Sequence, residues 1–107
     1  MMPVELADLI VKEHWTDSKR NIRDLKGKVM AECHKLIDQH DVDWGDIRTG
    51  RGEKAYNARQ HMCAFVYLVL FDRMSEVEMS EWLGIKRTTF RYSRVAFFEK
   101  NSEPIPT

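Results

Sequence analysis

Ten consecutive residues, 62–71 (Met-Cys-Ala-Phe-Val-Tyr-Leu-Val-Leu-Phe), carry no charge and only one hydroxyl. A helix needs about 20 apolar residues to cross a bilayer, so this run is too short to be covered by lipid. It has to be covered by the rest of the chain. Upstream and through it, Ala55, Ala58, Met62, Phe65, Val66 and Val69 recur at helical spacing, which predicts a central helix over residues 53–73. Nothing in the chain alternates with period two over a useful length, so strands are not expected. The expected fold class is all-α: a compact bundle of about five helices in one domain of 107 residues, long enough for a core without staples.

Two helices are expected before the central one. Leu6, Leu9, Ile10 and Glu13 share a helical register over residues 4–14. Thr16, Asp17 or Ser18 can cap the next helix, which runs to about Gln39. Its core-facing stripe is Ile22, Leu25, Val29, Leu36 and Ile37, with Cys33 filling the middle. Gly27 is its weak point, costing about 1 kcal/mol relative to alanine. Residues 40–52 read as a connection rich in aspartate and glycine. Val42, Trp44 and Ile47 tuck into the core there, and Arg48-Thr49-Gly50-Arg51-Gly52 forms a flexible basic loop.

The chain from Ser75 to Phe98 has the grammar of a helix-turn-helix. Ser75-Glu76-Val77-Glu78 is a capping box, in which the serine hydroxyl and the glutamate satisfy each other's backbone amides. Met79, Trp82 and Leu83 give the short helix one apolar stripe, and Gly84 follows where a chain most readily leaves a helix. The next segment opens with Lys86-Arg87-Thr88-Thr89 and continues through Arg91 and Arg94. Phe90, Phe97 and Phe98 anchor that last helix, which leaves Arg87, Arg91 and Arg94 to point outward. Glu76 and Glu78 suit the positive end of the short helix's dipole.

Charge is distributed unevenly beneath a formal total of zero. Residues 32–46 hold five acids against Lys35, and residues 72–81 hold four against Arg73. Arg48, Arg51, Lys54 and Arg59 face only Glu53, while residues 86–94 carry four positive charges unopposed. The zero total excludes a general polyanion binder, whose affinity comes from summed charge. It permits one basic face. Cys33 and Cys63 form no spacing motif, and the sequence opens with no signal peptide, so the expected setting is a reduced cytoplasm.

From about Val29 to Phe98 the chain resembles the C-terminal DNA-binding domain of the bacterial replication initiator DnaA, a Trp-repressor-like helix-turn-helix. Asp43-Trp44-Gly45-Asp46-Ile47 sits where that family has a short apolar-Asp turn before its basic loop. Arg51 and Ala58-Arg59-Gln60 match the loop and the start of the long helix. Ser75-Glu76-Val77-Glu78-Met79 resembles the family's Ser-Leu-Pro-Glu-Ile, and Thr88-Thr89-Phe90 its Thr-Thr-Val, with Ser93 at its small residue. The family's Asp-His before the threonines is absent, with Lys86-Arg87 in a turn shorter by about one residue. Glu76-Val77 replaces Leu-Pro. The resemblance implies the fold better than it implies the initiator's own box sequence. It divides the chain into an N-terminal helical extension (1–28), the DnaA-like region (29–100) and a tail (101–107).

The expected function is sequence-specific binding of double-stranded DNA, as a small regulator or replication accessory factor. Arg87, Thr88, Thr89 and Arg91 would reach base edges, with Lys86 and Val77 beside them. Arginine offers a fork to guanine, and threonine a hydrogen bond or a methyl contact to thymine. Arg48, Arg51, Lys54 and Arg59 would hold phosphates or enter the minor groove. Leu6, Leu9 and Ile10 offer a surface for a homodimer. The alternative is a protein-interaction adaptor or inhibitor, from a phage or mobile element, that keeps the fold and binds a host protein. No cofactor is expected: no phosphate-loop motif is present, and Cys33-His34 and His61-Cys63 lack zinc spacing. Without a catalytic constellation or a spanning segment, neither an enzyme nor a membrane partner is expected.

Overall fold

The structure, a computed structural model, describes residues 22–101. Five helices lie there: α1 (Ile22–Gln39), α2 (Trp44–Thr49), α3 (Glu53–Leu70), α4 (Glu76–Leu83) and α5 (Arg87–Asn101), with no strand among the described residues. The helix expected over 4–14, with Leu6, Leu9 and Ile10, lies outside the described residues, as do the caps at Thr16, Asp17 and Ser18 and the last six residues.

Helix α3 is the centre, packed against each of the other four and most extensively against α5. All six residues expected to face inward are buried, and so are Gln60, Cys63, Ala64 and Leu70. Removing a Phe65 or Val66 side chain from water contributes about 1.5–3 kcal/mol each, so α3 organises the core. It ends at Leu70, short of Arg73. The amides of Arg73 and Met74 both return to the Leu70 carbonyl, closing a final turn before Ser75.

Helix α1 continues unbroken through Gly27. Leu25, Val29, Cys33, Leu36 and Ile37 are buried along one face, while Gly27 is on the exposed side. The chain leaves α1 through Asp41, at φ 57°, and the Val42 amide then donates to the Ile37 carbonyl.

The connection expected over 40–52 contains α2, which the sequence reading missed. Asp43 caps it: its carboxylate accepts from the Asp46 amide at 2.8 Å, and the Asp46 carboxylate accepts from the Asp43 amide at 3.3 Å. Arg48 and Thr49 are therefore helical, and only residues 50–52 remain of the basic loop. Ile47 is fully buried, with Val42 and Trp44 half-buried against the core.

Helix α4 begins as its sequence predicts. The Glu78 amide donates to the Ser75 hydroxyl at 3.1 Å, and the Ser75 amide donates to the Glu78 carboxylate at 3.0 Å. That bond holds the Glu78 carboxyl below the usual carboxylate range. Met79 and Leu83 are buried and Trp82 packs beside them. Gly84 ends the helix at φ 72°, a conformation costly for a residue with a Cβ. The Ile85 amide donates back to the Ser80 carbonyl and its side chain is buried. Phe90, Phe97 and Phe98 then fix α5 on the core.

No described helix is long and apolar enough to cross a membrane. Cys33 and Cys63 are free and buried, and burial pushes both thiols up to about 12, far from a reactive thiolate at neutral pH. His61 packs against Phe97, with ring centroids 5.3 Å apart, and against His40 at 5.7 Å. Burial first, and then the His40 charge, lower its pKa from 6.5 to about 4.

Two outcomes follow for stability. A Cβ at Gly27 would meet nothing within 4 Å, so Gly27→Ala should raise unfolding free energy by about 0.5–1 kcal/mol in urea titration. Between pH 6.5 and 4 the unfolded chain takes up a proton at His61 that the folded chain resists, so stability falls as pH drops through that window. His61→Phe, which keeps a ring against Phe97, should flatten this slope; an unchanged slope would assign it to other groups.

Candidate nucleic-acid interface

The outer surface of α5 follows from what its inner surface must bury. With Phe90, Ser93, Arg94, Phe97 and Phe98 turned inward, Arg87, Thr88, Arg91 and Tyr92 are exposed and Thr89 half-buried. Lys86, exposed, stands just before the helix, and its carbonyl accepts from the Phe90 amide. Of the residues expected to face outward, Arg94 is the exception. Its side chain is only 9% exposed, while those of Arg87 and Arg91 are 60% and 61% exposed.

Arg94 is turned inward because two partners wait for it. Its Nε and Nη2 donate to one oxygen of Glu76, at 3.2 and 2.6 Å, and its guanidinium lies over the Tyr67 ring, 4.0 Å from the centroid. This ties α5 to the first turn of α4 and to α3. The other Glu76 oxygen is buried and accepts no hydrogen bond. It lies 3.5 Å from Arg91 Nε and 3.6 Å from Arg87 Nε, so one carboxylate sits among three guanidiniums. Glu76 is therefore turned toward the arginines. Val77, next to it, is 40% exposed.

The second cationic stretch meets this one at the turn between α4 and α5. A Cβ placed on Gly84 would lie 2.9 Å from Arg48 Nε, so the Arg48 side chain rests on the turn two residues before Lys86. Arg48 also packs over Trp44, 5.6 Å from its ring centroid. Arg51 is exposed in the short loop that follows and has no ion-pair partner among the described residues. Lys54 is exposed and pairs loosely with Asp41 at 3.7 Å, a contact worth little in water.

Arg59, expected on phosphate or on an acid of a neighbouring helix, is turned toward the end of α2. It is half-buried, its Nη1 donates to the Ile47 carbonyl at 3.5 Å, and its guanidinium presses on Gly50. Its Nε is buried and unpartnered. Gly50, at φ 65°, leaves the space that this guanidinium fills. Arg59 thus braces the end of α2 and, through it, the placement of Arg48.

Sequence reasoning missed Tyr92, which is 76% exposed one turn beyond Thr88. The spacing of Thr88 and Tyr92, with Phe90 and Ser93 between and after them, could have found it. The chain matches no protein-family model, no curated protein and no solved structure.

The two kinds of arginine on α5 should separate in denaturant unfolding. Arg94→Met should cost about 3 kcal/mol, because it removes the principal partner of a nearly buried carboxylate. Arg87→Ala and Arg91→Ala should each change stability by less than about 1 kcal/mol. Equal losses at all three positions would contradict this division.

Proposed function

We propose that the chain is a sequence-specific double-stranded DNA-binding protein, a small regulator or replication accessory factor of bacterial or phage origin acting in the bacterial cytoplasm or nucleoid. In this reading the unit formed by α4, the turn and α5 is a helix-turn-helix, and α5 enters the major groove. Arg87, Thr88, Thr89 and Arg91 address base edges, with Lys86 and Val77 at the margin. Arg48, Arg51 and Lys54 hold phosphates. The observation that carries the reading is the seating of Arg48 on Gly84, which brings one cationic stretch to the turn that leads into the other, whose Arg87 and Arg91 are exposed. The resemblance to the DnaA C-terminal domain supports the same assignment of parts.

A second reading, an adaptor or inhibitor bound to a host protein, draws on Tyr92 and Val77. An exposed tyrosine and valine among arginines offer the apolar and forked groups that anchor protein interfaces. Recovery of one stoichiometric protein partner after nuclease treatment, without any DNA shift by the purified chain, favours that reading.

Fluorescence anisotropy on DNA recovered by random-site selection, titrated with salt, tests the first. Binding should prefer the selected site and weaken as salt rises. Arg87→Ala should cost about 1–3 kcal/mol on the selected site and relax its sequence preference. Arg51→Ala should weaken all duplexes alike and make the salt slope shallower by about 0.9. Affinity indifferent to both sequence and salt would reject DNA recognition by these stretches.

A further inference from the structure

Glu76 is the least expected group on a face meant for an anion. Its carboxylate lies under the exposed arginines, one oxygen taken by Arg94 and the other approached, among the described residues, by Arg87 Nε and Arg91 Nε. Among the described residues, no hydrogen bond engages either exposed guanidinium, and Glu76 is the ion-pair partner of each. Arg94 is already neutralised by a short hydrogen-bonded contact at 2.6 Å. The second oxygen is buried and unsatisfied by hydrogen bonds, and its charge acts on its two neighbours, tempered by the solvent around their exposed ends.

We infer that Glu76 is a positioning and specificity-determining residue for the DNA-binding reading, on which this inference rests. It acts through Arg87 and Arg91 in two ways. It draws both guanidiniums toward one point between α4 and α5, limiting the rotamers from which they reach base edges. It also subtracts one charge from the face, which weakens attachment to phosphates of any sequence. Both effects trade non-specific affinity for discrimination: base edges in the right register compensate both forks at once for leaving the carboxylate, and phosphates met out of register compensate them only in part.

The arrangement is testable because charge and structure can be separated. Glu76→Gln keeps an oxygen to accept from Arg94 but removes the charge. Arg94→Gln leaves the charge and breaks the inner contact. The wild type and both variants are measured by anisotropy on the selected duplex and on a scrambled duplex across a salt series, with thermal melting alongside.

Glu76→Gln should bind the scrambled duplex about fivefold more tightly at 0.15 M salt, as one added phosphate contact implies, with a slope steeper by about 0.9. The selected duplex should gain no affinity, because the added charge is offset by lost orientation, so the ratio between the two falls about fivefold. Arg94→Gln should lower the melting temperature and, because it leaves the Glu76 charge in place with less to neutralise it, should not lower the ratio. The inference is overturned if Glu76→Gln raises both affinities by one factor, leaves both unchanged, or if the two variants alter the ratio equally. A wild type that prefers no sequence overturns the DNA reading and this inference with it; a discriminating wild type with an unchanged Glu76→Gln ratio overturns the inference alone.

Discussion

Covering α3 is the constraint from which the rest of the structure follows. A helix whose second half is apolar on nearly every side cannot be stabilised from one face, so segments from both ends of the described chain must pack on it. Helix α2 contributes Ile47, α4 contributes Met79 and Leu83, and α5 contributes Phe90. Each brings the polar residues next to it in sequence. Arg48 follows Ile47 and comes to rest on Gly84, at the turn that leads into Lys86 and Arg87. The approach of Arg48 to the start of the other basic stretch is thus a by-product of hydrophobic burial.

Like charges brought together by packing repel unless something offsets them, and Glu76 does so here. Its pair with Arg94 is nearly buried, held at 2.6 Å and backed by Tyr67, which favours it over an exposed surface pair of the same residues. The contact fixes the first turn of α4 against the middle of α5 and leaves Arg87 and Arg91 exposed on the outer side. The same carboxylate therefore serves the interior through one oxygen and conditions the surface through the other.

Much of this was legible in the residues. The spacing of Ala55, Ala58, Met62, Phe65, Val66 and Val69 identified the buried face of α3, and Ser75 with Glu78 marked the start of α4, because both signals are local and periodic. Helix α2 escaped notice because its capping box uses Asp46 where glutamate or glutamine is the usual partner, in six residues dense with turn formers. The inward turn of Arg94 and the contact of Arg59 with α2 were not legible for a different reason. Sequence shows a cation but not its partner, and Glu76 lies eighteen residues from Arg94, while Arg59 reaches a backbone carbonyl twelve residues away. Tyr92 was overlooked because an aromatic on a helix is assigned to the core by default, although its neighbours Phe90 and Ser93 already occupy the inward positions.

Backbone amide NMR during titration with a selected duplex tests most directly whether the two cationic stretches are the contact surface. Shift changes should fall together on residues 48–54 and 86–92, saturating at the same DNA concentration, while the amides of α1 around Arg23 and Lys26 stay unmoved. Shifts centred on α1, or confined to one of the two basic stretches, would contradict the account.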